Sequence, residues 1–419
     1  MGDVYILGTF STAFGKRPGD DFRDLSREAY LGALADAGLE NGDDIEFGWF
    51  GNCGMGSFGQ ACIRGQVCFT PLVQAGLFPE RVPMINVEGG CATASMAFNG
   101  AFKDVASGAA RLSLAIGVEK IYIPNDPVRT QEIFAGGIDQ LTPEDWHAYY
   151  ARAAEATGKT FDPQGGGGTI FMDTYAMQAA WHMKRWGTTQ AQIAAGASKN
   201  HWHGSMNPNA QYRFEVSVEQ ALADREVSWP LTRAMCAPIG DGAAAALLCS
   251  EDYLRAQPAA VRARAVKVRA SQLSGGKYRS FDEPGLSRFA ARKAYAQAGL
   301  GPDDVDIAEV HDATSFCEIY QVEMMGFCED GQGGRYVESG ATRLGGEKPV
   351  NLSGGLVSKG HPVGATGLSM IQELCLQLRG EAGARQAPRA RIGLAENGGG
   401  VIGFDEAACS VVILEAPKG

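Results

Sequence analysis

An α/β fold built twice over, five layers deep in the order α/β/α/β/α, is what the sequence predicts, and three observations carry the prediction. The chain repeats itself. Its helix-patterned segments alternate with short apolar strands. Its 419 residues exceed what one ordinary core organises, which points to two or three domains or one large composite.

Internal similarity is the strongest of the three. Leu25–Phe47 reads LSREAYLGALADAGLENGDDIEF, and Leu286–Val310 reads LSRFAARKAYAQAGLGPDDVDIAEV. Each runs from LSR through an Ala-rich helix to AGL, a pair of aspartates and a strand. At similar offsets come NVEGGC (Asn86–Cys91) and NLSGGL (Asn351–Leu356), and more weakly GDGAAAALLC (240–249) and FDEAACSVVIL (404–414). Segments matched in the same order describe two copies of one α/β unit. Strands such as RLSLAIGVE (111–119) and ARIGLAE (390–396) alternate with the helices. That pattern implies largely parallel sheets covered by helices on both faces, and two such units packed together give the five layers.

Taken in order, Val4–Thr9 reads as the first strand, and the first half occupies residues 1–120 and returns at 228–258. A loop-rich insertion fills 121–227, with the aromatic WHAYY (146–150), the Gly165–Gly168 run, a helix over Met172–Trp186 and a polar KNHWH loop from Lys199. The glycine run has no following Lys-Ser/Thr, so it does not read as a P-loop. The second half spans 259–419.

Composition narrows the function. A formal net charge of −11 disfavours non-specific nucleic-acid binding, which needs a basic footprint. No apolar run approaches the ~20 residues that span a bilayer. The N-terminus carries Asp3 first and Lys16–Arg17 after the apolar stretch, the reverse of a secretory signal. None of the ten cysteines forms a C-x-x-C pair, so neither a zinc ribbon nor a redox motif is indicated and no metal is expected. Most read as small buried hydrophobes in a reducing, cytoplasmic protein.

Cys91 is the exception. It follows an apolar strand and Gly89–Gly90 and precedes a helix of small residues with Ala94, Ala97, Phe98, Ala101 and Phe102 on one face. A cysteine at a helix N-terminus meets orphan N–H groups and the helix dipole, which favour a thiolate below the free value of about 8.5. The same amides can hold the oxygen of a tetrahedral intermediate. In SGGLVSKGHPVGATGLSM (353–370), His361 sits between Gly360 and Pro362 just before a helix, and a histidine held there can take the proton of a thiol. His311 ends the strand DIAEVH, at the edge where α/β folds bind ligands; its N–H can point at a thioester oxygen. The AENGGGV loop (395–401) offers the Gly398 amide as a second oxyanion donor and turns Glu396 or Asn397 toward the reacting centre. Lys199 and His201 are candidates to border the phosphates of a bound ligand.

Together these segments resemble the thiolase superfamily, in the branch that includes the thiolase part of sterol carrier protein and archaeal acetoacetyl-CoA thiolases. The carriers are GGCATASMAF, WPLTRAMCAPIGDGAAAALL (229–248), VHDATSFCE and GGLVSKGHPVGATG. The resemblance covers essentially the whole chain. It implies the duplicated thiolase fold with an inserted loop domain, and thiolysis of a 3-oxoacyl-CoA or the reverse Claisen condensation through an acyl group on Cys91. By position Cys91 matches the nucleophile, His361 its base and His311 the oxyanion-hole histidine. It also implies a homodimer or higher oligomer, coenzyme A as substrate or product with no tightly bound cofactor, and a small OB-fold, zinc-ribbon partner subunit. Aromatic or branched acyl-CoAs are among the substrates such paired enzymes take. One departure stands out. Relatives carry a second cysteine as acid/base, in a C-x-G loop or as HDCF; here the loop reads ENGGG and Ala313 occupies the HDC position, so Glu396 becomes the candidate replacement, with His361 or water as alternatives. Two other readings share the fold: a condensing acyltransferase of secondary metabolism, and a non-catalytic scaffold subunit.

Overall fold

The computed structural model describes residues 2–163 and 170–417, so the Gly165–Gly168 run lies outside the described residues. The strands, in chain order, are β1 (Val4–Ser11), β2 (Phe47–Gly51), β3 (Met84–Val87), β4 (Leu112–Glu119), β5 (Glu226–Ser228), β6 (Leu231–Thr232), β7 (Gly242–Ser250), β8 (Val266–Gly275), β9 (Ile307–Val310), β10 (Ile392–Gly399) and β11 (Ala408–Glu415). β5 pairs only with β6, and the other nine form one sheet in the order β3-β2-β4-β7-β1-β8-β11-β10-β9.

That order is the repeat made visible. Read inward from its edge, the first copy runs β3-β2-β4-β7-β1. Read inward from the opposite edge, the second runs β9-β10-β11-β8, and Val350, which bridges to Ala308 of β9, stands where β3 stands in the first. The copies meet where β1 pairs antiparallel with β8. The sheet is less parallel than the helix–strand alternation implied. β2 is parallel to β3 and β4, and β9 to β10, but β4–β7, β1–β7, β10–β11 and β11–β8 are antiparallel. Parallel neighbours need a crossover of a dozen or more residues, and the segment from β10 to β11 is too short to make one.

Helices supply the other layers. The Phe22–Ala37 helix begins on Asp21, whose carboxylate accepts from the amides of Arg23 and Asp24, satisfying donors that a helix start leaves unpaired. It covers the outer face of the first copy through Leu25, Tyr30 and Leu34 against Leu112 and Leu247. Leu286–Ala298 does the same for the second copy, with Ala290 and Ala294 against Val411 and Ile413. Between the copies lie the Thr93–Ser107 and Thr366–Arg379 helices, whose Phe98, Phe102, Leu368, Ile371 and Leu374 share one buried core. The result is helix, sheet, helix pair, sheet, helix. A central layer made by both copies brings the N-termini of its two helices together, and this is where the chemistry-bearing residues meet.

Between β4 and β7 the chain leaves the sheet for helices at Pro127–Ala135, Pro143–Thr157, Ile170–Trp186, Gln190–Ser205 and Val218–Ala223. The β5–β6 hairpin follows, so the chain re-enters the first copy at Gly242, beyond residue 228. The KNHWH segment is not a loop. It forms the last turns of the Gln190–Ser205 helix, which starts with a capping box between Thr189 and Gln192. Among the described residues, no helix is long and apolar enough to cross a membrane.

Candidate active site

Cys91 sits in a single 3-10 turn, Gly90–Ala92, between β3 and the Thr93–Ser107 helix. The turn needs both of its neighbouring glycines. Gly90 has φ 56, and a side-chain carbon there would fall 2.5 Å from the Gly400 amide nitrogen. One on Gly399 would fall 2.7 Å from the Cys91 nitrogen. Without side chains at these positions, the end of β10 presses its backbone directly against the Cys91 turn.

His361 arrives from the second copy. Its Nε2 lies 3.0 Å from Cys91 Sγ and its Nδ1 2.7 Å from Thr366 Oγ1. The Thr366 hydroxyl donates its one proton to the Pro362 carbonyl, so it accepts from Nδ1–H, and Nε2 is left to accept from the Cys91 thiol. Sequence reading missed Thr366, although it stands five residues after His361 in the same quoted stretch, where a helix start favours a hydroxyl.

The electrostatics of the pair correct one expectation. Burial pushes the Cys91 thiol up to about 12, against a smaller opposing contribution from its own backbone amide. A helix terminus is worth at most about 2 kcal/mol and a pKa unit about 1.4 kcal/mol, so the terminus alone cannot offset the loss of water. Burial, then His311 and Lys359, holds His361 well below the usual histidine value. The resting pair is therefore a neutral thiol and a neutral imidazole, and the proton moves when the sulfur attacks.

His311 completes a compact trio. One ligand-type atom from each of Cys91, His311 and His361 lies within 4.8 Å of the others, and the two imidazole centroids are 5.3 Å apart. His311 Nε2 is buried with no hydrogen-bond partner, and burial lowers its pKa to about 4. An unpaired buried ring nitrogen is costly unless something else satisfies it; an oxygen of a bound acyl group is the chemistry that fits.

Other expected site residues lie elsewhere. Side chains of a strand alternate between faces. Asn397 and Gly399 face the Cys91 helix, where Ser95 Oγ donates to Asn397 Oδ1. Glu396 and Gly398 face the other way. The Glu396 carboxylate accepts from the His311 backbone amide at 3.1 Å and from the Cys409 thiol at 3.4 Å, and burial raises its pKa. It braces the His311 backbone and does not face Cys91. Gly398 is inside β10 opposite Cys409; the glycine of this run that reaches the cavity is Gly400. Lys199 is buried, donating to the Val350 carbonyl at 2.6 Å and pairing with Glu318 at 2.7 Å. His201 is also buried, with Nε2 against the Ala234 carbonyl and its ring stacked on Tyr212 and Phe214. Neither is free to meet a phosphate, because the helix that carries them packs into the protein.

Cys91 and His361 open on a cavity of about 480 Å³. One part of its wall is apolar and aromatic, from Ile133, Phe134, Phe171 and Met172; another carries Arg225 and Arg233. Both arginines are solvent-exposed, and Phe214 and Trp229 nearby in sequence are exposed as well. The insertion thus supplies much of the cavity lining, between Gln131 and Val227. Its contributions escaped sequence reading because isolated Phe and Arg residues in a loop-rich region have no pattern to mark them.

The chain matches one family along most of its length. The family model described as "Thiolase, N-terminal domain" matches residues 4–227, and "Thiolase C-terminal domain-like" matches 284–415. The chain is 38% identical to "Acetyl-CoA acetyltransferase" of Methanothermobacter thermautotrophicus over 96% of its length and 98% of the relative's. It is 35% identical to "Sterol carrier protein 2" of Homo sapiens, over 97% of this chain and 73% of that one. It is 30% identical to "Benzoylsuccinyl-CoA thiolase subunit BbsB" of Thauera aromatica, over 95% and 94%. Among solved structures it shares its fold with "Ltp2-ChsH2(DUF35) aldolase", with a TM-score of 0.77 and 23% identity, over 100% of this chain and 98% of that one.

Proposed function

The chain belongs to the thiolase family, in the branch of the archaeal and sterol-carrier enzymes, and from that premise we propose that it cleaves a 3-oxoacyl-CoA with coenzyme A, or runs the reverse condensation, through an acyl group carried on Cys91. It is an acyltransferase by family; the mechanism and the substrate are our reading. The observation that carries them is the 3.0 Å contact between Cys91 Sγ and the unprotonated Nε2 of His361 at the wall of a cavity. As the sulfur attacks the 3-oxo carbon, His361 takes its proton, and the charge that appears on Nε2 is shared through Nδ1–H with Thr366. Nucleophile, base and orienting hydroxyl are then in one line. The His311 ring nitrogen, with no partner of its own, donates to the oxygen of a bound thioester, and the backbone at Cys91 and Gly400 receives the oxygen of the tetrahedral intermediate.

The cavity supports an aromatic or branched acyl group. Phe134, Phe171, Ile133 and Met172 give one part of it an apolar lining larger than an acetyl group uses, and one relative is named for a benzoylsuccinyl-CoA. Arg225 and Arg233 take the place of Lys199 and His201 as the residues that meet the coenzyme A phosphates. A small partner subunit is part of this reading, since one protein of the same fold is titled as a complex with a DUF35 component. So is a homodimer.

Acyl-CoAs of graded size, offered with and without such a subunit, test the proposal by peptide mass spectrometry. We expect acyl mass on Cys91, removed by coenzyme A, and greater with benzoyl-CoA than with acetyl-CoA. No adduct from any thioester would leave only the scaffold reading standing; an adduct released only by another acceptor would favour the secondary-metabolism condensing enzyme.

A further inference from the structure

Carbon–carbon cleavage in a 3-oxoacyl-CoA needs two proton carriers. His361 serves the sulfur of Cys91. The other must protonate the α-carbon as the carbon–carbon bond breaks, and later accept the proton of the coenzyme A thiol. Ala313, whose methyl group lines the cavity, has no proton to give. Cys317 is buried against Thr314 Oγ1 and is absent from the cavity wall. Glu396 faces away, as described above, and Glu406 is tied to Gln321 behind Gly398. Of the acids on the wall itself, Cys53 is held against the Gly90 carbonyl and Thr93 Oγ1, Cys236 donates to the Thr232 carbonyl, and Glu88 is solvent-exposed. Tyr212 stacks on His201 beside exposed Phe214.

Tyr175 is different. It projects from the Ile170–Trp186 helix into the cavity that Cys91, Ala313, His361 and Gly400 also line. It is only partly covered, and its hydroxyl makes no hydrogen bond to any described residue, although hydroxyls of enclosed tyrosines normally find a partner. Burial first, and then Cys91, Cys317 and Glu406, raises its pKa well above the ordinary phenol value. The proton is therefore in place at neutral pH.

We propose that the Tyr175 hydroxyl, which shares one cavity with Cys91 and Ala313, is the second proton carrier of the reaction. This rests on the acyl-transfer reading of Cys91. In the first half-reaction Cys91 sulfur bonds to the 3-oxo carbon, the bond between that carbon and the α-carbon breaks, and its electron pair takes the Tyr175 proton. That leaves an acyl-Cys91, a shortened acyl-CoA and a phenolate. In the second, the phenolate takes the proton of incoming coenzyme A as its sulfur bonds to the acyl carbon. Cys91 leaves and recovers its proton from His361. Both protein groups end as they began.

The two half-reactions lean on Tyr175 unequally, and this makes the test. The α-carbon, a far stronger base than a thiolate, needs a proton donor to complete its departure, whereas a thiolate leaves without one. In Tyr175→Phe, cleavage of 3-oxo-3-phenylpropionyl-CoA should fall about 10²- to 10⁴-fold, the range for a lost general acid, while acylation of Cys91 by benzoyl-CoA should fall by less than about tenfold. Adding Ala313→Cys to Tyr175→Phe places a thiol beside the lost hydroxyl and should recover at least about tenfold of the cleavage. Cleavage within about threefold of wild type, or equal losses in both half-reactions, would overturn the assignment of Tyr175 while leaving the Cys91 adduct intact. Failure of the wild type to form any adduct would remove the acyl-transfer reading, and this one with it.

Discussion

The turns Asn86–Cys91 and Asn351–Leu356 are copies of each other, and only one of them carries the proposed nucleophile. Their fifth residues match in backbone as well as in sequence: Gly90 has φ 56 and Gly355 has φ 58. In the first copy the next residue is a cysteine, the Gly400 backbone lies against the turn, and the helix starts at once at Thr93. In the second copy the next residue is Leu356, wholly buried. Its amide donates to Asp312 Oδ1 at 2.6 Å, and a side-chain carbon on Gly355 would fall 2.3 Å from the same carboxylate. The second turn has been closed onto a carboxylate and made structural. A longer segment then follows before the helix resumes at Thr366, and that extra segment carries His361. The two helix starts touch, since a side-chain carbon on Gly367 would fall 2.9 Å from the Ser95 nitrogen. A duplicated fold with a shared central layer thus builds its site by pairing unlike versions of one turn: one offers the sulfur, the other the imidazole.

Substituting the matched residues breaks the comparison most sharply. Cys91→Ala should abolish the acyl adduct and lower turnover at least about 10⁴-fold with little change in the melting curve. Leu356→Ala at the equivalent position should do the opposite, costing about 2–5 kcal/mol of stability through the cavity it leaves, with acylation per folded molecule nearly unchanged. Denaturant titration beside single-turnover acylation measures both. Equal loss of chemistry in the two variants would mean that the second turn also belongs to the reacting centre.

Next in size is the imidazole. His361→Ala should slow acylation of Cys91 about 10²- to 10⁴-fold near neutrality. Because burial puts the thiol at about 12, the variant should regain rate steadily as pH rises, whereas the wild type, with His361 neutral far below pH 6.5, should stay flat through neutral pH. A variant as pH-independent as the wild type would take the proton away from His361.

The smallest expected effect concerns His311. Its folded pKa of about 4 lies below the ordinary 6.5, so the unfolded chain binds a proton there that the native state refuses. Stability is complete above about pH 6.5 and is lost as pH falls toward 4, by about 3 kcal/mol in full. Urea unfolding between those limits should therefore have a shallower pH slope in His311→Gln than in the wild type. Parallel slopes would mean that the ring is already solvated or paired.

How far the site was legible follows from the same particulars. GGC and GHP announce themselves because glycines beside a nucleophile or a base mark backbone that must come close. Glu396 misled because AENGGGV reads as a loop after a strand, whereas residues as far as Gly399 belong to β10, and a strand sends Glu396 and Asn397 to opposite faces. Lys199 and His201 misled because a polar stretch looks like solvent-facing loop, yet the Gln190–Ser205 helix buries it by pairing Lys199 with Glu318. Tyr175 left no trace in the pattern at all: one tyrosine on an amphipathic helix is ordinary until the cavity is seen.

By itself the sequence determined the duplication, the alternation of helix and strand, and the local turns that expose Cys91 and His361, since all of these depend on residues within a few positions of one another. Only the tertiary structure decided which faces meet, how much water the thiol loses, and which lone hydroxyl stands across from it. Those depend on groups hundreds of positions apart, and on a desolvation energy that outweighs the local dipole from which the sulfur's acidity was first read.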